Sequence, residues 1–326
     1  MLIIGNIAGR ISIKMANICN KSVKAVGVIV NRDRDTELKY TLNLVESMCS
    51  AGIKVSLAAD VAEEILADSL KLSGNENLLK VKNENEVLKN IQMVICLGGD
   101  GTFLKVARKA YKKGVPILGI NLGNLGFLTE VEKDDMQCVV EHLSAGNYQV
   151  EERMMLDTAI IRNGEIIETD TALNDIVISR GALSRIVHLK TYINDEFVDM
   201  FPGDGLIISS PTGSTAYSLS AGGPIVDPNI DLIIVSPICP HILYSRSIIT
   251  ADTGKVKTVV DEDPGHKVMV TVDGQKGYEV RGGDIIEVKK SSHRTRLVRI
   301  KPKNFYNILR KKIYFRGENL KRDEVQ

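Results

Sequence analysis

The sequence predicts an α/β N-terminal domain with a parallel sheet, followed by a β-rich, antiparallel and sandwich-like C-terminal domain. Three observations carry that prediction. Up to about Gly146, short apolar runs alternate with amphipathic stretches at helical spacing. From about Tyr148 to Ile300, β-branched runs separated by turn signals take over. Between them, Met93-Val94-Ile95-Cys96-Leu97 runs into Gly98-Gly99-Asp100-Gly101 and then into a helical pattern. A strand, a glycine-rich turn and a helix mark the rim where open α/β sheets bind ligands. There, free N–H groups and the helix dipole favour an anion.

Taken in order, residues 1–22 carry Arg10, Lys14 and Lys21, no acid and no clear periodicity, and read as a loosely ordered, dispensable extension. The α/β domain is placed at 23–147. Val26 to Val30 reads as a strand, Asn31 to Asp35 as a polar turn, and Thr36 to Ser50 as a helix closed by Gly52. Ile53 to Ala58 is a second strand and Val61 to Leu70 a helix, while Gly74 to Lys89 reads as loop with at most a helical turn. After the central strand, Phe103, Ala107, Ala110 and Tyr111 share one helical face, with Lys105, Arg108 and Lys109 covering others. Val115 to Asn121 is a further strand, and a helix near Asp134 to Ser144 stops at Gly146.

The β-rich domain is placed at 148–300. Its strands are read at Thr158–Arg162, Ile176–Ser179, His188–Ile193, Gly205–Ser209, Leu232–Ser236, Lys267–Val272 and Asp284–Lys289. Asn163-Gly164, Asn194-Asp195, Asp273-Gly274 and Gly282-Gly283 supply turns. In the last segment, 301–326, Phe305, Ile308, Leu309 and Ile313 make an amphipathic helix whose apolar face must be buried, followed by a charged tail.

Composition narrows the function. With 42 basic and 41 acidic residues among 326, the net charge of +1 makes no case for nucleic acid or an anionic membrane as partner. No apolar run is long enough to span a bilayer. Five scattered cysteines without a C-x-x-C pair suit reduced thiols in a cytoplasmic protein, and the five histidines show no metal-site spacing. Neither G-x-x-x-x-G-K-[ST] nor G-x-G-x-x-G occurs.

Four groups of residues carry chemistry. Asp100, beside a phosphate-type loop, is either a helix cap or a carboxylate that holds a metal or takes a proton; its flanking glycines favour the second reading. Leu122 to Leu128, with Gly123, Gly126 and Phe127, reads as a second loop on the same rim. Pro211 to Pro224 is rich in hydroxyls and small side chains, with Tyr217 offering a flat stacking face. Asn174-Asp175 suits ribose hydroxyls or a base edge, although the pair taken alone favours a turn, and Asp204 between Gly203 and Gly205 shares that ambiguity.

Gly98-Gly99-Asp100-Gly101-Thr102, Leu125-Gly126-Phe127, Asn174-Asp175, Gly203-Asp204-Gly205, Pro211 to Pro224, Pro237 to His241 and Val272 to Gln275, in that order, resemble the motif series of the bacterial NAD kinase family. The resemblance spans about residues 24 to 315 and implies a site between the two domains, with the terminal helix returning to the first. It implies phosphoryl transfer from ATP or polyphosphate to the 2′-hydroxyl of the adenosine ribose of NAD. Asp100 would assist that hydroxyl, with Gly98, Gly99, Gly101 and Thr102 around the transferred phosphate. NAD would be held by Asp100, Gly101, Phe127, Asn174, Asp175, Arg185, Asp204, Thr215, Ala216, Tyr217, Ser218, Leu219, Ser220 and Gln275. Mg²⁺ or another divalent cation would come mainly with the nucleotide phosphates, without a dedicated protein cage. The family implies a homodimer or homotetramer. Pro202 stands where many members carry Arg, Asp175 where Glu is also common, and Ser247 where Pro is frequent. Lipid kinases share the GGDG element but do not need Asn174-Asp175 or the long hydroxyl-rich loop. A non-catalytic NAD(P) sensor would keep the binding residues and lose Asp100.

Overall fold

The computed structural model describes residues 17–19, 21–124, 126–181, 186–261, 267–300 and 305–312. Three central strands, Ala25–Val30, Met93–Gly98 and Ile117–Asn121, are parallel and buried almost throughout. Burial on both faces is what a parallel sheet demands, and it explains why these segments read as unbroken apolar runs. On one face, Val28, Ile95, Leu97 and Ile120 pack with Leu44, Val45 and Met48 of the Lys39–Ser50 helix and with Val139 and Leu143 of Gln137–Ala145. On the other, Ile29, Val94 and Cys96 meet Phe103, Val106, Ala107 and Ala110 of the Asp100–Ala110 helix.

The predicted α/β and β-rich halves are both present, but one 13-stranded sheet runs through them. Its main path is Glu196–Gly203, Val187–Ile193, Val256–Val260, Ile285–Arg299, Ile117–Asn121, Met93–Gly98, Ala25–Val30, Lys54–Ala58 and Leu78–Val81. The join is Ile285–Arg299, whose Leu297 lies opposite Ile117 in a parallel pairing. This 15-residue strand also pairs antiparallel with Tyr148–Arg162. A second sheet of six strands, all antiparallel, stacks on the β-rich part. Met154, Leu156, Leu189, Phe201 and Ile286 of the first sheet share a core with Ile176, Ile178, Leu206, Ile208, Val235 and Val270 of the second, a sandwich arrangement.

Several elements differ from the sequence reading. The first long helix begins at Lys39, because Thr36–Leu38 is a 3₁₀ turn with Glu37 and Leu38 at positive φ. Buried Asp35 replaces a cap there, accepting the amides of Tyr40 and Thr41 at 2.9 and 2.8 Å. The segment read as loop contains an edge strand, Leu78–Val81, whose half-exposed pattern gives no apolar run, and a one-turn helix, Glu84–Val87, capped by Asn83. Strands Glu165–Ala172 and Glu196–Gly203 escape a periodicity reading because apolar Ile166, Ile167 and Phe197 are exposed beside charged neighbours, so no alternation marks a buried face. Most of residues 1–22 lies outside the described residues, but Asn17–Cys19 pairs as a strand with Tyr148–Val150. At the other end, residues 305–312 are helical and Ile313 is outside the described residues. Among the described residues no helix is long and apolar enough to cross a membrane.

Candidate functional site

The central strand ends at Gly98, and Asp100 is the first residue of the helix, not its cap. The N-cap position is Gly99, which has no side chain to cap with. The two Asp100 oxygens accept the amides of Phe127 (2.9 Å) and Leu128 (3.1 Å) from the second rim loop. A Cβ on Gly126 would overlap Asp100 Oδ1, so glycine there is a condition of the carboxylate's position. The capping reading fails, and the two glycine loops form one structure. A side chain on Gly101 would meet nothing within 4 Å, so the first helical turn opens on free space. Its leading amides have no intrahelical partner and are available as donors.

Cations surround the opening. Substituents on Gly99 and Gly123 would come within 2.9 and 2.8 Å of Arg34 Nη1, so the guanidinium lies over both loops. Asn31 Nδ2 donates to Thr102 Oγ1 at 3.0 Å and ties the same turn to the helix start. Two adjoining clefts, about 560 and 340 Å³, flank this point; Lys105, Thr102, Asn31 and Gln275 line both, and Arg34 lines the smaller. The Arg108 side chain bonds both Asp170 oxygens, at 2.9 and 2.7 Å, joining the Asp100–Ala110 helix to the β-rich half. Burial would raise the Asp170 carboxyl, but hydrogen bonds from Arg108, the Thr171 amide and Tyr278 outweigh it and hold it low.

The β-rich half contributes a clamp at Asp273, which the sequence marks as an Asp-Gly turn and, within Val272 to Gln275, as part of the NAD kinase motif series. Asp273, at φ 53°, accepts the amides of Leu173 (3.0 Å), Asn174 (2.7 Å) and Asp175 (3.3 Å). Asp175 lies buried against it, and its carboxyl is pushed up to about 7 by desolvation first and by the charge of Asp273 second. Asp273 is also raised, by burial. Two residues on, Gln275 Nε2 donates to the Gly101 carbonyl at 3.2 Å. One turn therefore touches both the Asn174-Asp175 strand end and the helix start.

The small-residue loop hangs from the same point. The Asn174 carbonyl accepts the Ser210 amide (2.8 Å) and the Ser209 hydroxyl (3.2 Å), and a Cβ on Gly213 would overlap it. Thr212–Thr215 is a 3₁₀ turn and Tyr217–Ser220 a single helical turn. Buried Ser218 bonds Ser236, which bonds Ser247 at 2.9 Å, so Ser218 is a packing residue and Ser247 has a polar partner. Thr215, Ala216 and Leu219 are half-buried, whereas Tyr217 and Ser220 are exposed. Asp204 is not brought to this place. It pairs with Arg180 at 2.6 Å, at the Ser179–Gly205 end of a strand pair whose other end holds Asp175 and Ser209. At ~3.4 Å per residue, about 14 Å separates the two ends. Pro202 sits on the edge strand of the large sheet, where a missing N–H is tolerated. Arg185 and Leu125 lie outside the described residues.

The terminal helix completes the rim. Phe305 packs on Phe127 with ring centroids 6.2 Å apart, and Lys312 Nζ stands 4.6 Å above the same ring and 3.7 Å from Asp100 Oδ2. Phe127 is thus covered by the chain's own end. Among the described residues no group of three His, Cys, Asp or Glu side chains converges on a metal-sized space.

A glycine-rich strand–helix turn, a carboxylate fixed by two amides and a cation-lined cleft beside a β-sandwich define a small-molecule kinase. Residues 26–148 match the ATP-NAD kinase N-terminal domain and residues 173–300 the ATP-NAD kinase C-terminal domain. An NAD kinase of Acetivibrio thermocellus is 56% identical over 296 residues, covering 91% of this chain and 99% of that protein. One of Ruminiclostridium cellulolyticum is 49% identical, covering 91% and 100%. Among solved structures, yeast NADH kinase complexed with NADH superposes with a TM-score of 0.79 at 26% identity, over 90% of this chain and 88% of that one. An Archaeoglobus fulgidus NAD kinase in complex with ATP shares the fold, with a TM-score of 0.67 at 22% identity over 87% and 96%. The chain belongs to the NAD kinase family.

Proposed function

We propose that this chain transfers the γ-phosphoryl group of ATP, or the terminal group of polyphosphate, to the adenosine ribose 2′-hydroxyl of NAD, giving NADP. The observation that carries the reading is the Asp100 carboxylate, held by the Phe127 and Leu128 amides at the mouth of an open helix start. Asp100 accepts the hydroxyl proton as the ribose oxygen bonds to the γ-phosphorus; the bridge to the β-phosphate breaks and ADP leaves. Amides at Gly99, Gly101 and Thr102 face the migrating group, where the helix dipole favours negative charge. Arg34 and Lys105 stand on the donor's side of this loop.

The acceptor lies toward Asn174, Asp175 and the Thr215 to Ser220 turn. With its carboxyl titrating near neutrality, Asp175 is able to donate as well as accept a hydrogen bond. Gln275 keeps the acceptor side in register with the phosphate loop. The divalent cation, Mg²⁺ by its oxygen preference, would be carried by donor phosphates and neutralise their charge. The donor set fits that arrangement: Asp100, the carboxylate at the reaction point, already accepts two amides. Leu243, Tyr244, Ile230 and Ile249 are exposed apolar side chains suited to a homodimer or homotetramer. Scattered thiols, with Cys49 and Cys96 buried, suit the cytoplasm.

Purified protein incubated with NAD, ATP and Mg²⁺ is expected to form NADP. Absence of NADP together with phosphorylation of diacylglycerol would overturn the reading in favour of a lipid kinase.

A further inference from the structure

The C-terminal helix does more than cover apolar surface. Phe305 and Lys312 are seven residues apart, two helical turns, and so lie on one face. Both meet Phe127: Phe305 packs on the ring, and the Lys312 ammonium sits over it at 4.6 Å. The backbone amide of that same Phe127 donates to Asp100 Oδ2, the oxygen that Lys312 faces at 3.7 Å. One residue thereby aligns the carboxylate through its amide and the ammonium through its ring. A separation of 3.7 Å is beyond N–H···O hydrogen-bond range, so the pair acts through space. Both side chains remain partly open to the cleft, at 28% and 31% exposure, so neither is sealed away from a ligand.

We infer that Lys312 is a positioning residue for phosphoryl transfer, brought to Asp100 by the C-terminal helix. This rests on Asp100 being the group that accepts the ribose proton. The ammonium biases which way the carboxylate faces before transfer, and as Asp100 becomes neutral it leaves a cation beside the newly formed phosphoester. Among the described residues its other recorded contact is the Phe127 ring, which is not a competing anion. Chain segments some 200 residues apart are joined at this point, which makes the helix a working part of the site.

The test uses full-length protein with NAD, ATP and Mg²⁺ and four variants: Lys312→Met, Lys312→Arg, Asp100→Asn and the double variant Asp100→Asn/Lys312→Met. Melting temperatures confirm that each is folded. Misplacing a reacting group by about 1 Å costs up to ~100-fold in rate, so Lys312→Met is expected to lower kcat by about 10-fold or more. The NAD KM should move by less than about threefold, since the effect falls on the reacting groups and not on binding. Lys312→Arg, which restores the charge, should recover most of the rate. Because Lys312 acts through Asp100, Lys312→Met should add less than about twofold in the Asp100→Asn background. Wild-type kcat in Lys312→Met alongside a slow Asp100→Asn would overturn this inference and leave the role of Asp100 standing. An equal loss in both backgrounds would overturn it too, as the mark of a structural contact. Near wild-type turnover by Asp100→Asn would remove the role of Asp100 and this inference with it.

Discussion

The Asp273 carboxylate accepts the Asn174 amide at 2.7 Å, joining residues 99 positions apart at the end of the second sheet. The amides of Leu173 and Asp175 converge on the same group, and Asp273 returns its own amide to the Asp175 carbonyl at 3.0 Å. This closes the strand end from which the small-residue loop departs. It also puts two carboxyls side by side in a buried place.

That juxtaposition makes stability depend on pH. Burial, and for Asp175 the neighbouring charge, raises both carboxyls above the ordinary value, Asp175 from 3.8 to about 7. The folded chain therefore keeps a proton that the unfolded chain releases near the ordinary carboxyl value of 3.8. The contribution is fully present below that point and is lost as pH rises through about 7, amounting to a few kcal/mol at most. Urea midpoints should fall between pH 5 and pH 8. Asp175→Asn, which has no proton to lose there, should flatten the difference. An unchanged pH dependence in Asp175→Asn would place its origin elsewhere.

Gly126 should be intolerant of a methyl group for a reason unrelated to backbone freedom. Its Cβ would fall on Asp100 Oδ1 and within 2.5 Å of Thr129 Oγ1. Gly126→Ala must push the carboxylate off its two amides, and a displacement of about 1 Å costs on the order of 100-fold in rate. Turnover should fall by about that factor while the NAD constant changes less. Wild-type turnover in Gly126→Ala would show that the alignment of Asp100 by this loop has no catalytic consequence.

How much of this was readable beforehand depended on where the information lay along the chain. Met93–Gly98 announces itself because both its faces are buried and its end is glycine. The Asp100–Ala110 helix is legible from Phe103, Ala107 and Ala110, though it starts at Asp100, ahead of that pattern. Leu78–Val81 and Glu165–Ala172 are stabilised by ladder hydrogen bonds, to which side-chain periodicity is blind. The continuous sheet was invisible as well, since pairing Leu297 with Ile117 is a long-range event that leaves no local mark. By its local residues Asp273 shows only an Asp-Gly turn, which ordinary hairpins share; its place in the Val272 to Gln275 motif marks it by resemblance, without the clamp it forms. Arg34 falls in the polar turn Asn31 to Asp35 and Lys312 in the terminal amphipathic helix, and neither position marks it for the site; their approach to Gly99 and Asp100 follows from the fold alone.

Donor and acceptor should separate by mutation. Arg34 and Lys105 belong to the α/β half and line the cleft beside the phosphate loop, whereas Asn174 and Tyr217 belong to the β-rich half. Losing a charged hydrogen-bond donor costs about 1.5 to 3 kcal/mol, or roughly 10- to 150-fold in binding. Arg34→Ala and Lys105→Ala should raise the apparent ATP constant more than the NAD constant; Asn174→Ala and Tyr217→Ala should do the reverse. Steady-state kinetics with each substrate varied in turn would read this, and the opposite ordering would exchange the two subsites.

Asp100 should matter far more to chemistry than to folding. Both of its oxygens accept an amide, so Asp100→Asn keeps one acceptor and turns the other position into a donor facing an N–H. A mispaired group of this kind, partly open to solvent, costs about 1 to 3 kcal/mol, a visible but survivable loss in melting temperature. The loss of charge and basicity acts on the transition state instead. Removing a general base costs about 100- to 10,000-fold in rate, or roughly 3 to 5 kcal/mol at 1.36 kcal/mol per decade. Asp100→Asn is therefore expected to melt a few degrees below wild type, to bind NAD within about tenfold, ~1.4 kcal/mol, and to turn over at least two decades more slowly. Melting and NAD titration establish that the site is intact before the rate is read. Should the variant turn over at near wild-type rate despite its altered hydrogen bonds, Asp100 would be a hinge pin between two loops and the proton would leave by another route.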